Sequence, residues 1–191
     1  MSKVSNISNS LAGRLAMAGG ALFAADGVLQ IVNPQHTGSQ IVGVAGHLNI
    51  AFFLVGLILI SPTFLVLARY ARAGKAQQAA RAAALGTFVL GVTCISSLVM
   101  GHDGVWFNAI APLTNAAWLF GSIILAVSLR REGRVPTMVA AGLPLAWIAT
   151  IPLATLGGGL ISGAYFLTVG YLVAIDAIER SRTPLVQAAR A

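Results

Sequence analysis

Apolar residues run through this chain in six stretches, each near the length a helix needs to cross a bilayer: about 13–32, 41–68, 83–101, 108–129, 137–156 and 159–178. A hydrocarbon core takes about 20 helical residues, so six crossings occupy about 120 positions and leave only short connections and tails. The pattern predicts an all-α, polytopic membrane protein, a six-transmembrane-helix bundle forming a single transmembrane domain over residues 1–191, with 181–191 as a short cytoplasmic tail. Lys3 and Arg14 ahead of an apolar stretch ending near Ala24 and Ala25 imitate a secretory leader. The apolar pattern continues past Asp26 through Val28, Leu29, Ile31 and Val32, so the run is read as a span.

Prolines and small residues modulate these spans. Pro62 removes a backbone donor within the second span and predicts a kink. Pro144 and Pro152, with Gly142 before and Gly157, Gly158 and Gly159 after, make the fifth span the least regular. Ordinary kinks satisfied by Thr150, Thr155 or neighbouring helices explain such breaks, although irregular backbone at membrane depth can also line a polar cavity. Gly20 and Ala24, Thr93 and Ser97, and Gly159 and Gly163 are small pairs four apart that let helices approach closely, without identifying which helix approaches which. The sequence contains no convincing repeat of three spans plus three.

Composition agrees with the spans: 57% of the 191 residues are hydrophobic and 9% charged, whereas soluble domains average about 45–50% and about 25%. The charge pattern then orients the bundle. All twelve Lys and Arg fall at the start of the first span, between spans two and three, between four and five, or after six. By the positive-inside rule both termini are cytoplasmic, and the expected location is the plasma membrane or bacterial inner membrane. Adding or dropping a span would scatter these charges over both faces, so they check the span count. The excess of +7 is thereby accounted for by topology and contact with membrane lipids, and no nucleic-acid partner is expected. The single cysteine, Cys94, excludes an intramolecular disulfide framework and any multi-cysteine metal site.

The candidate chemistry lies among polar residues that should not face lipid. Asp26 sits six residues, about 9 Å along the helix, from the outer end of the first span. A carboxyl at that depth should face the bundle interior and be paired, hydrated or protonated. Gln30 and Asn33 follow on the same helical face, and His47 lies at similar depth on the returning span, with Asn49 slightly deeper. An antiparallel hairpin is expected to bring Asp26 and His47 together. Asn108, Asn115 and Ser122 form a third polar stripe, preceded by His102 and Asp103 in the outer connection. The third histidine, His36, also maps to the outer half, whereas Glu132, Asp176 and Glu179 lie on or close to the cytoplasmic side, Asp176 and Glu179 beside Arg180 and Arg182 as solvated or interface-reaching charges. Trp106, Phe107, Trp118, Trp147, Tyr165 and Tyr171 spread over the last three spans, as interfacial anchors, packing residues or the wall of an apolar pocket.

A carboxyl beside an imidazole can hold or pass a proton near neutral pH. The expected function is acid–base chemistry, of isomerase or cyclase type, on a lipid-soluble and isoprenoid-like molecule. Asp26 is the expected acid or base and His47 its tuning partner, with Gln30, Asn49, His102, Asp103, Asn108, Asn115 and Trp118 around the substrate. Two rivals stand beside it: a small-solute or proton-coupled transporter, for which Ser61, Thr63 and Ser128 offer a thin inner polar path, and an assembly subunit without chemistry of its own. A homo-oligomer fits the transporter best. Ligation of metal or haem by His47 and His102 matches no compact ligand spacing, so no metal and no cofactor is expected. HExxH, Walker A, GxSxG and GxGxxG patterns are absent from suitable elements, and Ser96 and Ser97 show no partner that would make either a nucleophile.

Overall fold

The computed structural model describes residues 8–34, 40–71, 74–133 and 135–180, with the side chains of 179 and 180 excepted. The sequence readings that involve Lys3, His36, Arg72, Arg134 and residues 181–191, and the side chains of Glu179 and Arg180, fall outside that set. The described chain is helical: α1 (Asn9–Val32), α2 (Gly43–Ala68), α3 (Gly74–Met100), α4 (Val105–Arg131), α5 (Thr137–Thr150), α6 (Gly158–Ala174) and the short α7 (Ala177–Arg180), with a 3-10 turn at Ala154–Leu156. Four of these helices, α1 to α4, are long and apolar enough to cross a membrane, while α5 and α6 are shorter apolar helices. Large apolar side chains such as Val28, Ile31, Val99, Leu113 and Phe120 are exposed on the outside, while Asp26, Gln30, Asn49, Ser97 and Ser162 are buried within. An apolar exterior, with the few polar side chains of the spans turned into an otherwise apolar core, suits lipid, and the chain is an α-helical membrane-embedded protein.

Helix ends follow local chemistry. Ser8 caps α1, its hydroxyl accepting from Leu11 N at 3.2 Å. The Ala- and Gln-rich segment before the third span joins α3, which starts at Gly74 and gains from strong helix formers. Pro62 and Pro112 sit within continuous helices. The fifth apolar run is helical for only 14 residues, about 21 Å against a hydrocarbon core of about 30 Å. Pro152 lies two residues past its end and has no N–H with which to continue the ladder. The chain then turns through the 3-10 segment and Gly157, whose φ of 78° is left-handed, into α6. The sixth apolar run likewise divides into α6 and α7.

Each helix packs on its chain neighbours, and α6 returns to α1, so α1 to α6 close into a ring. The closing seam is built from glycines. Gly13, Gly20 and Gly27 recur every seven residues on α1 and meet Gly170, Gly163 and Gly159 of the antiparallel α6. A Cβ on Gly27 would stand 2.5 Å from Leu160 N, and one on Gly163 2.6 Å from Gly20 O. Bare backbone is what permits this approach, and dispersion contacts at that range hold helices together where lipid offers no hydrophobic drive between them. The same device seats Gly86 of α3 against Thr114 and Trp118 of α4, and Gly121 of α4 against Ala79 and Ala83.

These antiparallel contacts gather Arg14, Arg69, Lys75, Arg81, Arg130 and Arg131, all exposed, at one end of the bundle. There Arg69 Nη1 donates to Asn9 Oδ1 at 3.1 Å and Asn9 Nδ2 donates to Asp176 Oδ1 at 3.0 Å. The chain from Arg69 through Asn9 to Asp176 ties the starts and ends of α1, α2 and α6 together. Asp176 is therefore a half-buried hydrogen-bond acceptor at that end.

Candidate functional site

At the opposite end the ring leaves a partly open cavity of about 170 Å³. Its wall takes Asp26 and Gln30 from α1, Asn49, Ile50 and Phe53 from α2, Cys94 and Ser97 from α3, Asp103 from the α3–α4 connection and Phe107 from α4. Ile41, Thr150, Ile151 and Ala154 complete it. Hydrocarbon and aromatic rings make up most of this surface, with a few polar groups converging on it, which is the usual composition of a small-molecule site.

Asp26 and Gln30 lie one turn apart on the inner face of α1, as the i, i+4 spacing expects. Gln30 Nε2 donates to Asn49 Oδ1 at 2.9 Å, joining α1 to α2 just beside Asp26. Asp26 is 5% exposed and Asn49 3%. Even so, Asp26 Oδ1 and Asn49 Nδ2 have no hydrogen-bond partner among the described residues. Buried polar atoms are nearly always satisfied, so one unmatched acceptor and one unmatched donor in the wall of a single cavity call for an explanation.

His47 does not join them. It is exposed on the outer surface of α2, with Nδ1 2.8 Å from Gly43 O, in a shallow apolar groove formed with Val44, Leu48, Ala51 and Leu98. Successive helical residues are rotated by about 100°, so His47 and Asn49 point about 200° apart and only one can face the interior. Depth alone made His47 the expected neighbour of Asp26, and azimuth puts Asn49, bonded to Gln30, in the cavity wall instead. His102 and Asp103 divide in the same way. His102 is exposed, with Nδ1 3.0 Å from Met100 O, while Asp103 reaches the cavity and its Oδ1 accepts from Ser97 Oγ at 2.8 Å.

The polar stripe of α4 runs elsewhere. Asn108 is exposed. Asn115 spans α4 and α5, accepting from Trp147 Nε1 at 3.0 Å while its Nδ2 donates to Ala111 O at 2.9 Å. Trp118 is fully buried against α3 and is not part of the cavity wall. Of the expected site residues, then, the cavity unites Asp26, Gln30, Asn49 and Asp103, and it leaves His47, His102, Asn108, Asn115 and Trp118 outside.

Ser97 and Thr150 are the polar wall residues that the sequence did not single out as a site. Ser97 pairs with a residue six further on, across a helix end, where no helical periodicity reveals it. Thr150 Oγ1 lies 2.6 Å from Ser162 Oγ and 2.7 Å from Ala146 O, so its hydroxyl locks α5 onto α6. The fixed backbone edge of the site includes Ile41, whose N–H donates to Gly101 O at 2.8 Å.

Aromatic rings close the cavity toward the bundle centre. Phe53 packs edge-on to Phe23 with centroids 6.2 Å apart, Phe23 lies 6.1 Å from Phe166, and Phe166 lies 6.4 Å from Phe64. Phe23, Phe64 and Phe166 have no exposed surface. The described residues contain no group of three or more His, Cys, Asp or Glu positioned to hold a metal. No family model, curated protein or solved structure matches this chain.

Proposed function

We propose that this chain is a membrane enzyme that performs acid–base chemistry, of isomerase or cyclase type, on a small lipid-soluble molecule held in the cavity at the acidic end of the bundle. The observation that carries this reading is the carboxyl of Asp26, almost wholly buried in the cavity wall, with Oδ1 unmatched. A structural acid would be expected to spend that oxygen on a partner, whereas a catalytic acid or base must keep it for the reacting molecule. In this reading Asp26 gives or takes the proton, Asn49 orients the substrate through its free N–H, and Gln30 fixes the Asn49 amide. Asp103, held by Ser97, supplies the second carboxyl at the mouth. His47 has no part in the chemistry.

The proposed topology places six crossings in a plasma or bacterial inner membrane with both termini cytoplasmic. It is supported by the collection of the described Arg and Lys residues at the end remote from the cavity, which makes the cavity the outward end. Membrane lipids surround the apolar exterior and supply the route by which a lipid-soluble substrate arrives.

A transporter is the second reading, because Thr63 Oγ1, Trp118 Nε1 and Ser122 Oγ are further buried atoms without partners on the way to the basic end. The solid aromatic floor of Phe53, Phe23, Phe166 and Phe64 favours chemistry over passage. The test is incubation of the purified protein in deuterated water with a total lipid extract from its host membranes. Proton transfer to carbon adds deuterium to one lipid species with the wild type and not with Asp26→Asn. Flux of protons in proteoliposomes without any such labelling would favour the second reading and reject the first.

A further inference from the structure

The two unmatched atoms also specify the polar end of the occupant. We infer that the cavity takes a small apolar alcohol, one hydroxyl on a hydrocarbon body of about six to eight heavy atoms. This inference rests on the cavity being a ligand site, and it adds the chemical class of the ligand. The Gln30 amide donates to Asn49 Oδ1, and Asn49 Nδ2 is a donor without an acceptor. On the neighbouring helix Asp26 Oδ1 is an acceptor without a donor. A ligand group that satisfies both must donate one hydrogen bond and accept another. A hydroxyl does both from a single atom. To an ionised Asp26 an ether or ketone offers no donor and would leave Oδ1 unmatched. An ammonium only donates and would leave Asn49 Nδ2 unmatched, while a carboxylate would meet Asp26 as a like group.

Size and lining select the rest of the molecule. Water can donate and accept as well, but Ile41, Ile50, Phe53, Phe107 and Ile151 surround the polar corner with hydrocarbon and would gain nothing from it. The cavity of about 170 Å³ is close to the volume of about 150 Å³ known to admit benzene into a protein interior. A cation is the rival occupant, since Asp26 and Asp103 share the wall and the described Lys and Arg lie at the other end. Asp103 Oδ1, however, already accepts from Ser97, and a cation does nothing for Asn49.

Four probes of one shape separate these possibilities: benzyl alcohol, benzyl methyl ether, benzylammonium and toluene. Each is dialysed to equilibrium against the full chain in lipid nanodiscs, and partition into empty nanodiscs is subtracted. Benzyl alcohol is expected to bind at least about tenfold more tightly than the other three, the scale on which an unmatched buried polar group is felt. That advantage should disappear in Asp26→Leu and in Asn49→Leu, two variants that remove the acceptor and the donor separately. Benzylammonium as the tightest ligand would overturn the alcohol in favour of a cation. Toluene binding as well as benzyl alcohol would overturn the alcohol and leave the cavity as a ligand site. Failure of all four to bind would remove both the inference and the site on which it rests.

Discussion

Replacing Asp26 by Leu separates an acid retained for chemistry from one retained for architecture. In the folded chain Asp26 is 5% exposed and its Oδ1 has no partner. The folded state therefore already bears the desolvation of that atom, a cost of about 1–3 kcal/mol for a buried group left unsatisfied. Leucine removes the cost, and its two methyl groups, bulkier than the carboxyl oxygens they replace, border a cavity of about 170 Å³ that has room for them. Stability should hold within about 1 kcal/mol of wild type or rise. Gln30→Leu provides the contrast, since it deletes a made hydrogen bond and leaves Asn49 Oδ1 unmatched beside Nδ2. It should cost about 1–3 kcal/mol. The assay is reversible denaturant unfolding in detergent micelles, followed by tryptophan fluorescence and far-ultraviolet circular dichroism on both variants. A loss above about 2 kcal/mol in Asp26→Leu would refute the reasoning, because it would show that the carboxyl holds the fold together.

Three further outcomes follow from the same geometry. Gly20→Val and Gly163→Val should each destabilise the bundle by at least about 1–3 kcal/mol, the usual cost of overpacking, because their Cβ atoms would stand 2.8 and 2.6 Å from backbone oxygens across the α1–α6 seam. Gly74→Ala, where a Cβ meets nothing within 4 Å, should unfold like the wild type in the same measurement. His47→Ala should leave both unfolding stability and any retained small molecule unchanged, measured by denaturation and mass spectrometry, since the ring lies exposed and outside the cavity wall. Single cysteines at Lys75 and His102 should react with a membrane-impermeant maleimide from opposite sides of intact cells, Lys75→Cys only after permeabilisation. Cys94 is buried and gives little background.

The helical architecture was legible because its determinant is length: a run of apolar residues near 20 has few other homes. Helix α5 fell short of its apolar run because Pro152 stops the hydrogen-bond ladder while leaving hydropathy unchanged. The acidic corner was half legible. Asp26, Gln30, Asn49 and Asp103 announce themselves as polar groups at the cavity end, and the cavity unites them. Pairing Asp26 with His47 used depth along two helices without the rotation about each, and the rotation decides which of His47 and Asn49 looks inward. Asn115 shows the complementary limit. Its sevenfold spacing from Asn108 is real, but Trp147 on α5 takes up its carbonyl, and a partner on another helix leaves no trace in local spacing. The α1–α6 seam was present in the seven-residue spacing of Gly13, Gly20 and Gly27, a longer period than the pairs four apart that first draw the eye.

The central claim is that the Asp26 cavity holds a lipid-soluble molecule for acid–base chemistry. Its most direct test is purification of wild type and Asp26→Asn side by side in mild detergent, with quantitative mass spectrometry of what each protein retains. A single small lipid-soluble species enriched in the wild type, and depleted about tenfold or more in the variant, is the predicted result. The same lipid profile in both proteins would contradict it.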